Sequence, residues 1–292
     1  MKSAPDTEPT IASVVDELTR EFAAAGIFDA HVDAELLVGH VLRLSRGELT
    51  AQTVLSRTMS AEHATRVRAL GVRRAAREPL QHLTGYAYFR SLELSVGPGV
   101  FVPRPETELL AQIVIDHVRS LPEDEPLVVD LGTGSGAIAL SVATEVSHAR
   151  VYAVEKSPDA FAWTTRNAAA LAVTNTTLVL SDLADALTDL NGQFAVVVSN
   201  PPYIPDDAVP RDDEVRLYDP QLALYGGPDG LDVVRVLVVT AKRLLRPGGL
   251  LAIEHGELQG AGVAEILRSD GWRAVSTHVD LLGRDRYTTG LR

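Results

Sequence analysis

The sequence predicts an α/β fold: a mainly parallel sheet covered on both faces, preceded by a small helical bundle and joined to it by a β-hairpin. Three patterns carry this expectation. Beyond Pro126, short apolar runs alternate with helical stretches, the texture of strands buried on both faces between crossover helices. Before Arg77, apolar residues recur at helical spacing. Between the two, a segment bearing Tyr, Phe and Leu approaches the alternation of half-buried strands.

Along the chain, Ile11, Val14, Val15, Leu18 and Phe22, then Leu36, Leu37 and Val41, then Val67 and Leu70 mark the apolar stripes of the first region. Breaks at Gly26, at 45–47 and at Ser60 divide it into about four helices, with Ser60 as N-cap of the last. One stripe per helix is buried only by mutual packing, so residues 1–80 are expected to form a helical domain. Residues 81–104 are expected to be a β-hairpin connector, with Tyr86, Tyr88, Phe89, Leu92, Leu94 and Val96 alternating and Gly97-Pro98-Gly99 marking a turn. Pro105 suits the first turn of a helix, with Glu106 and Glu108 placed against its dipole. In the remaining domain, residues 105–292, the strand-like runs are 127–131, 151–154, 177–180, 194–199 and 250–254, with helical stretches such as 137–146 and 159–172 between them. Runs 272–279 and 286–291, with Gly283 between, predict a terminal antiparallel hairpin.

Composition narrows the function. Across 292 residues, 39 Asp and Glu outnumber 27 Lys and Arg, a net charge of −12 that disfavours a broad nucleic-acid surface. Arg66, Arg68, Arg73, Arg74 and Arg77 fall close together on one predicted helix and read as a solvated face. The lack of cysteine excludes disulfides, thiolate nucleophiles and Cys-ligated metal, and the scattered histidines show no paired ligand spacing. About the first thirty residues lack a basic stretch followed by an apolar one, and no window approaches ~18 uninterrupted apolar residues, so no membrane contact and a cytoplasmic location are expected.

Asn200-Pro201-Pro202-Tyr203 follows the apolar run 194–198 and is therefore placed at the carboxyl end of a buried strand, the edge at which open parallel sheets bind ligands. Two prolines remove two backbone donors and hold φ near −65°, leaving a rigid surface of acceptors suited to an NH2 group. Upstream, Asp130-Leu131-Gly132-Thr133-Gly134-Ser135-Gly136-Ala137 joins the first strand of the sheet to its helix, and its glycines let backbone approach a ligand. The same string fits the looser dinucleotide fingerprint, so by itself it does not separate a nicotinamide cofactor from S-adenosylmethionine. Glu155 ends the second strand, where an acid accepts ribose hydroxyls of either cofactor. Asp182, closing the third strand, suits an acceptor for the adenine amine or a helix cap. An acceptor tetrapeptide beside the cofactor serves methyl transfer to nitrogen and has no use in hydride transfer.

With both motifs in place, the chain resembles the class I S-adenosylmethionine-dependent methyltransferases that act on planar amide or amine nitrogen. Within them it is similar to the peptide chain release factor N(5)-glutamine methyltransferases, the PrmC or HemK family of translation termination. The likeness spans Glu78-Pro79-Leu80-Gln81-His82-Leu83-Thr84-Gly85, Phe101-Val102-Pro103-Arg104-Pro105-Glu106-Thr107-Glu108, Gly132 to Gly136, Asn200 to Tyr203, and Glu254-His255-Gly256. Related enzymes that methylate a ribosomal protein typically carry Ser in place of the second proline of the Pro103-Arg104-Pro105 run.

The resemblance implies a Rossmann-like seven-stranded sheet with a reversed last strand, preceded by a substrate-binding helical bundle. It implies that Gly132, Thr133, Gly134, Ser135 and Gly136 hold the methionine end of S-adenosylmethionine and Glu155 its ribose, with Asp182, Leu183 and Asn200 completing the cofactor site. Many relatives carry Trp where this chain has Leu183, so apolar packing replaces an aromatic stack there. Asn200, Pro201, Pro202 and Tyr203 are the implied catalytic and substrate-binding residues, with Phe101 as the facing wall of the pocket. The implied partner is a class I release factor, methylated on the glutamine of its Gly-Gly-Gln motif, with no nucleic acid, no metal and a monomeric enzyme. Glu106, Glu108 and His255 are read as structural. The competing readings are an adenine N6 methyltransferase on DNA or RNA, a glutamine methyltransferase of a ribosomal protein, and a non-enzymatic release-factor-binding module.

Overall fold

A computed structural model describes residues 8–292. Its contacts divide the chain into two units, one formed by the chain up to Gly85 with Arg211–Tyr218, the other by Tyr86–Pro210 with Asp219–Arg292.

The first unit holds α1 (Ile11–Ala24), α2 (Ala30–Leu42), α3 (Arg46–Val54), α4 (Ala61–Ala75) and the short α5 (Leu80–Thr84). Side chains of Thr10, Ser45 and Ser60 accept backbone N–H groups at the starts of α1, α3 and α4, satisfying donors that a helix leaves orphaned. The apolar stripes meet in one core containing Ile11, Val14, Leu18, Phe22, Leu37, Val38 and Val67. Of the five arginines, Arg66, Arg68 and Arg73 are exposed as a solvated face requires, whereas Arg74 and Arg77 are drawn inward. Arg68 pairs with Glu17 at 2.9 Å and Arg73 with Glu78 at 2.5 Å, while Arg74 is buried between Asp33 at 2.8 Å and Glu214 at 2.9 Å. Arg77, just beyond α4, binds the same Glu214 at 2.6 Å. A desolvated guanidinium needs such partners, and Glu214 arrives from a distant part of the chain.

The second unit opens with a hairpin of β1 (Tyr86–Phe89) and β2 (Leu92–Ser95), whose register pairs Phe89 with Leu92. The reversal falls on Arg90-Ser91, with Arg90 at φ +52°. Its left-handed backbone is held from both sides: the Arg90 N–H donates to Glu108 at 2.8 Å and its guanidinium to Gln112 and, bidentately, to Glu145. After α6 (Thr107–Ser120), strands and helices alternate: β3 (Leu127–Leu131), α7 (Ala137–Glu145), β4 (Arg150–Glu155), α8 (Pro158–Ala170), β5 (Thr176–Leu180) and β6 (Phe194–Ser199). The short α9 (Asp213–Tyr218) belongs with the first unit, and α10 (Asp232–Leu244), β7 (Leu245–Glu254), α11 (Gly260–Ser269), β8 (Arg273–Val279) and β9 (Asp285–Leu291) complete the sheet.

The seven strands lie in the order β5-β4-β3-β6-β7-β9-β8. β9 runs antiparallel to both of its neighbours, whereas β3, β4, β5, β6 and β7 are mutually parallel. Alternating residues feed two cores: Val128 and Val198 join α6 and α7 residues such as Leu110 and Leu140, while Val129 and Val197 join α10 and α11 residues such as Leu237 and Leu267. Burial on both faces is why these strands read as continuous apolar runs. The strand order reverses between β3 and β6, so the loops leaving these two neighbours part at the crevice where such sheets take their ligands.

Candidate active site

Two loops meet this edge. The first, after β3, carries Gly132, Thr133, Gly134, Ser135 and Gly136. Gly132 and Gly134 adopt φ of +77° and +59°, and a Cβ on either would meet nothing within 4 Å, so the loop presents bare backbone to open space. Its base is fixed from below: Val154 O accepts the N–H groups of both Gly132 and Thr133 at 2.9 Å. Asn167, buried on α8, donates to Ser135 O at 2.9 Å and exchanges two hydrogen bonds with the Ser95 backbone, tying the loop to the hairpin. Asp130 is buried beneath the loop, its Oδ2 accepting from Thr133 Oγ1 at 2.7 Å and Ala139 N at 3.2 Å, while Oδ1 has no partner. Burial pushes its carboxyl up to about 7.

Glu155, at the end of β4, reaches back to the same loop. Oε2 accepts the Gly134 N–H at 2.9 Å, and Oε1 accepts those of Lys156 and Ser157 at 2.8 Å. Asp182, beyond β5, pairs with Lys156 at 2.8 Å and accepts the Ala184 N–H at 3.0 Å. The bond from Lys156 holds its carboxyl below the usual range. Both Asp182 oxygens are thus engaged, the turn-capping arrangement that the sequence left open beside an adenine contact. Leu183 is half-buried against the core on the α10 side of the sheet.

The second loop, after β6, is Asn200-Pro201-Pro202-Tyr203. Asn200 Nδ2 donates to Thr107 Oγ1 at 3.2 Å, and among the described residues neither Asn200 Oδ1 nor the Pro201 carbonyl has a hydrogen-bond partner. The Tyr203 carbonyl accepts from Gln259 Nε2 at 2.9 Å. Burial pushes the Tyr203 phenol up to about 12, so it stays neutral. Behind the tetrapeptide runs 226–230, bridged to it through Ile204 and Tyr225. A Cβ at Gly226 would lie 2.6 Å from Pro202 O and one at Gly230 2.2 Å from Tyr203 O, so only glycine lets these backbones touch. Phe101 lies under the Arg104 guanidinium, 4.9 Å from the ring centroid, and Arg104 pairs with buried Asp219 at 2.8 Å.

Glu106 and Glu108 stand at the N-cap and in the first turn of α6, where its dipole favours an acid, and each has a further partner: Glu108 accepts from Arg90, and Glu106 pairs with Arg284 at 3.5 Å while its carbonyl accepts the Tyr287 hydroxyl. His255 is fully buried, with ring nitrogens on Gly256 O and Thr288 Oγ1, both at 2.9 Å. No grouping of three or more His, Cys, Asp or Glu with metal-binding geometry occurs among the described residues. Thr107, Gln259 and the 226–230 segment support the tetrapeptide and are not among the residues that the sequence analysis singles out for the site. The Gly-Gly-Pro-Asp-Gly string was the available signal for the last of these, but it reads only as a turn until its partner strand end is known.

Residues 13–85 match the PrmC N-terminal domain family and residues 92–213 the methyltransferase small domain family. Over 280 residues the chain is 48% identical to the release factor glutamine methyltransferase of Streptomyces coelicolor, covering 94% of this chain and 95% of that one. The chain belongs to the release factor glutamine methyltransferase family. The enzyme of that name from Bifidobacterium longum is 40% identical, with 95% and 98% of the two chains covered. A 4-amino-L-phenylalanine/4-methylamino-L-phenylalanine methyltransferase of Streptomyces pristinaespiralis is 38% identical, with 92% and 91% covered. Within this family member, the run 103–108 lies at the site, with Arg104 on Phe101 and Thr107 on Asn200.

Proposed function

We propose that this chain transfers a methyl group from S-adenosylmethionine to the side-chain amide nitrogen of the glutamine in the Gly-Gly-Gln motif of class I peptide chain release factors. The observation that carries it is the pair of unengaged acceptors, Asn200 Oδ1 and the Pro201 carbonyl, standing beside an open glycine loop. The relatives named above favour a glutamine amide over an adenine amine, which makes the same geometric demand. The α/β domain, 105–292, carries the chemistry, the helical region, 1–80, grips the protein substrate, and 81–104 connects them. We place the enzyme in the cytoplasm, as a monomer; no helix among the described residues is long and apolar enough to cross a membrane.

The residues suit the cofactor. Gly132 and Gly134 leave open space where a bulky ligand can touch backbone, and Asp130 Oδ1 is a buried acceptor without a partner beneath the loop. Gly132 to Gly136 hold the methionine end, Glu155 the ribose through the capacity left on its oxygens, and Asp182 with Leu183 the adenine side, where packing replaces a stack. When bound, S-adenosylmethionine supplies an electrophilic methyl on a sulfonium. The protein's task is the nucleophile. An amide nitrogen is weak because its lone pair is delocalised into the carbonyl. With one N–H on Asn200 Oδ1 and the other on the Pro201 carbonyl, the nitrogen can pyramidalise and aim its lone pair toward the glycine loop. These hydrogen bonds strengthen as positive charge develops on nitrogen, so orientation and preorganised acceptors lower the barrier with no strong base acting first, and the methylated nitrogen then releases one of its two protons to solvent. Pro202 stiffens the turn, and neutral Tyr203 and Phe101 wall the flat amide.

The test is transfer from labelled S-adenosylmethionine to a class I release factor, to 4-amino-L-phenylalanine and to mixed nucleic acid in parallel, with mass spectrometry of the release-factor loop. One added methyl on the Gly-Gly-Gln glutamine is expected. Label appearing only in nucleic acid or only in the free aromatic amine overturns the assignment.

A further inference from the structure

Beside the acceptor face lies a buried carboxyl that the chemistry above leaves unused. Ser199 pairs with Ile253, so Asn200 and Glu254 leave adjacent parallel strands side by side. Glu254 is 2% exposed, and Thr107, at the start of α6, is 5% exposed. Asn200 Nδ2 donates to Thr107 Oγ1, and Thr107 and Asn200 both stand close enough to Glu254 to favour its charged form. Glu254 Oε2 is buried without a partner.

An amide and a hydroxyl are each both donor and acceptor, so Asn200 and Thr107 alone do not fix which end of the amide faces outward. An ionised carboxylate only accepts. Accepting a hydrogen bond from the Thr107 hydroxyl, it would oblige Oγ1 to accept from Asn200 Nδ2 and leave Oδ1 facing the pocket. Once protonated, Glu254 donates, the chain of hydrogen bonds reverses, and Asn200 turns its NH2 outward. We propose that Glu254, acting through Thr107, is a positioning residue that sets the polarity of the Asn200 amide and thereby makes the site an acceptor for a substrate NH2; this rests on the function proposed above.

Burial pushes Glu254 up to about 7, with Thr107, Arg286 and Asn200 opposing and Glu106 reinforcing the rise. The charged and titratable groups around it are Glu106 from the start of α6, Tyr203 after β6, and Arg286 and Tyr287 from β9. Both phenols are raised and stay neutral, and burial lowers the adjacent His255. The acceptor face is therefore lost as pH falls through about 7. Stability runs the other way: a raised carboxyl favours the folded state most at low pH, and that contribution is lost as pH rises through about 7.

The experiment follows the side-chain NH2 of Asn200 by 15N NMR in the full chain, identified by its loss in Asn200→Asp, alongside turnover on a release factor. The NH2 signals should titrate near pH 7 in the native chain and stay flat in Glu254→Gln, and native turnover should fall as pH drops through the same midpoint while that of Glu254→Gln does not. Thr107→Val should lower turnover roughly tenfold to a hundredfold with unchanged S-adenosylmethionine affinity, and Thr107→Ser should restore most of it. Asn200 signals indifferent to Glu254, or native turnover in Thr107→Val, overturn the proposal. If the native chain leaves release factors unmethylated, the functional reading fails, and the NMR titration still decides the polarity switch.

Discussion

Asn200 concentrates the chemistry because its side chain has two ends, Nδ2 donating to buried Thr107 and Oδ1 left without a hydrogen-bond partner among the described residues. Asn200→Ala removes one preorganised acceptor and nothing that the glycine loop uses. Turnover should fall by at least ~10²-fold with nearly unchanged cofactor affinity, measured by a transfer assay and calorimetry. The tetrapeptide was legible in the sequence because two prolines after an apolar strand leave acceptors and few donors. The supports of Asn200 were not, since Thr107 stands 93 residues away and meets it only when α6 packs on the sheet. Asp182 carries both readings of an acid after a strand: Lys156 and the Ala184 N–H each engage one oxygen, and each oxygen keeps capacity for the adenine-side contact proposed above.

At the scale of elements, glycines with the same left-handed backbone do different work. Gly132, at φ +77°, faces open space, so Gly132→Ala should cost about 1–2 kcal/mol, the backbone penalty alone. Gly230, at φ +74°, abuts the Tyr203 carbonyl, so Gly230→Ala adds a collision that displaces the tetrapeptide. Its cost should exceed about 2 kcal/mol in chemical denaturation, with turnover falling more than cofactor affinity. The strands were readable because burial on both faces leaves an apolar run, and Ser60 was readable as a cap because a hydroxyl before a helix satisfies an orphan N–H. The hairpin reversal at Arg90-Ser91 was not, because it contains no glycine and its geometry depends on Glu108, Gln112 and Glu145 from other elements.

For the whole molecule, the notable departure from sequence order is Arg211–Tyr218, which packs with the helical unit although it lies within the α/β stretch of the chain. Glu214 there holds Arg74 and Arg77 together. Glu214→Ala leaves a buried guanidinium short of a partner and should destabilise the helical unit by roughly 2 kcal/mol in thermal unfolding, with S-adenosylmethionine affinity unchanged by calorimetry. By itself the sequence determined the alternation of strands and helices, the helical front, the glycine loop, the acceptor tetrapeptide and the family, because each is written in neighbouring residues whose spacing and chemistry are local. The tertiary structure alone decided that Arg74 is buried and paired, that 226–230 props the tetrapeptide, and that Thr107 and Glu254 stand behind Asn200. Those contacts join segments far apart in the chain, and only burial and strand register bring them within hydrogen-bonding reach.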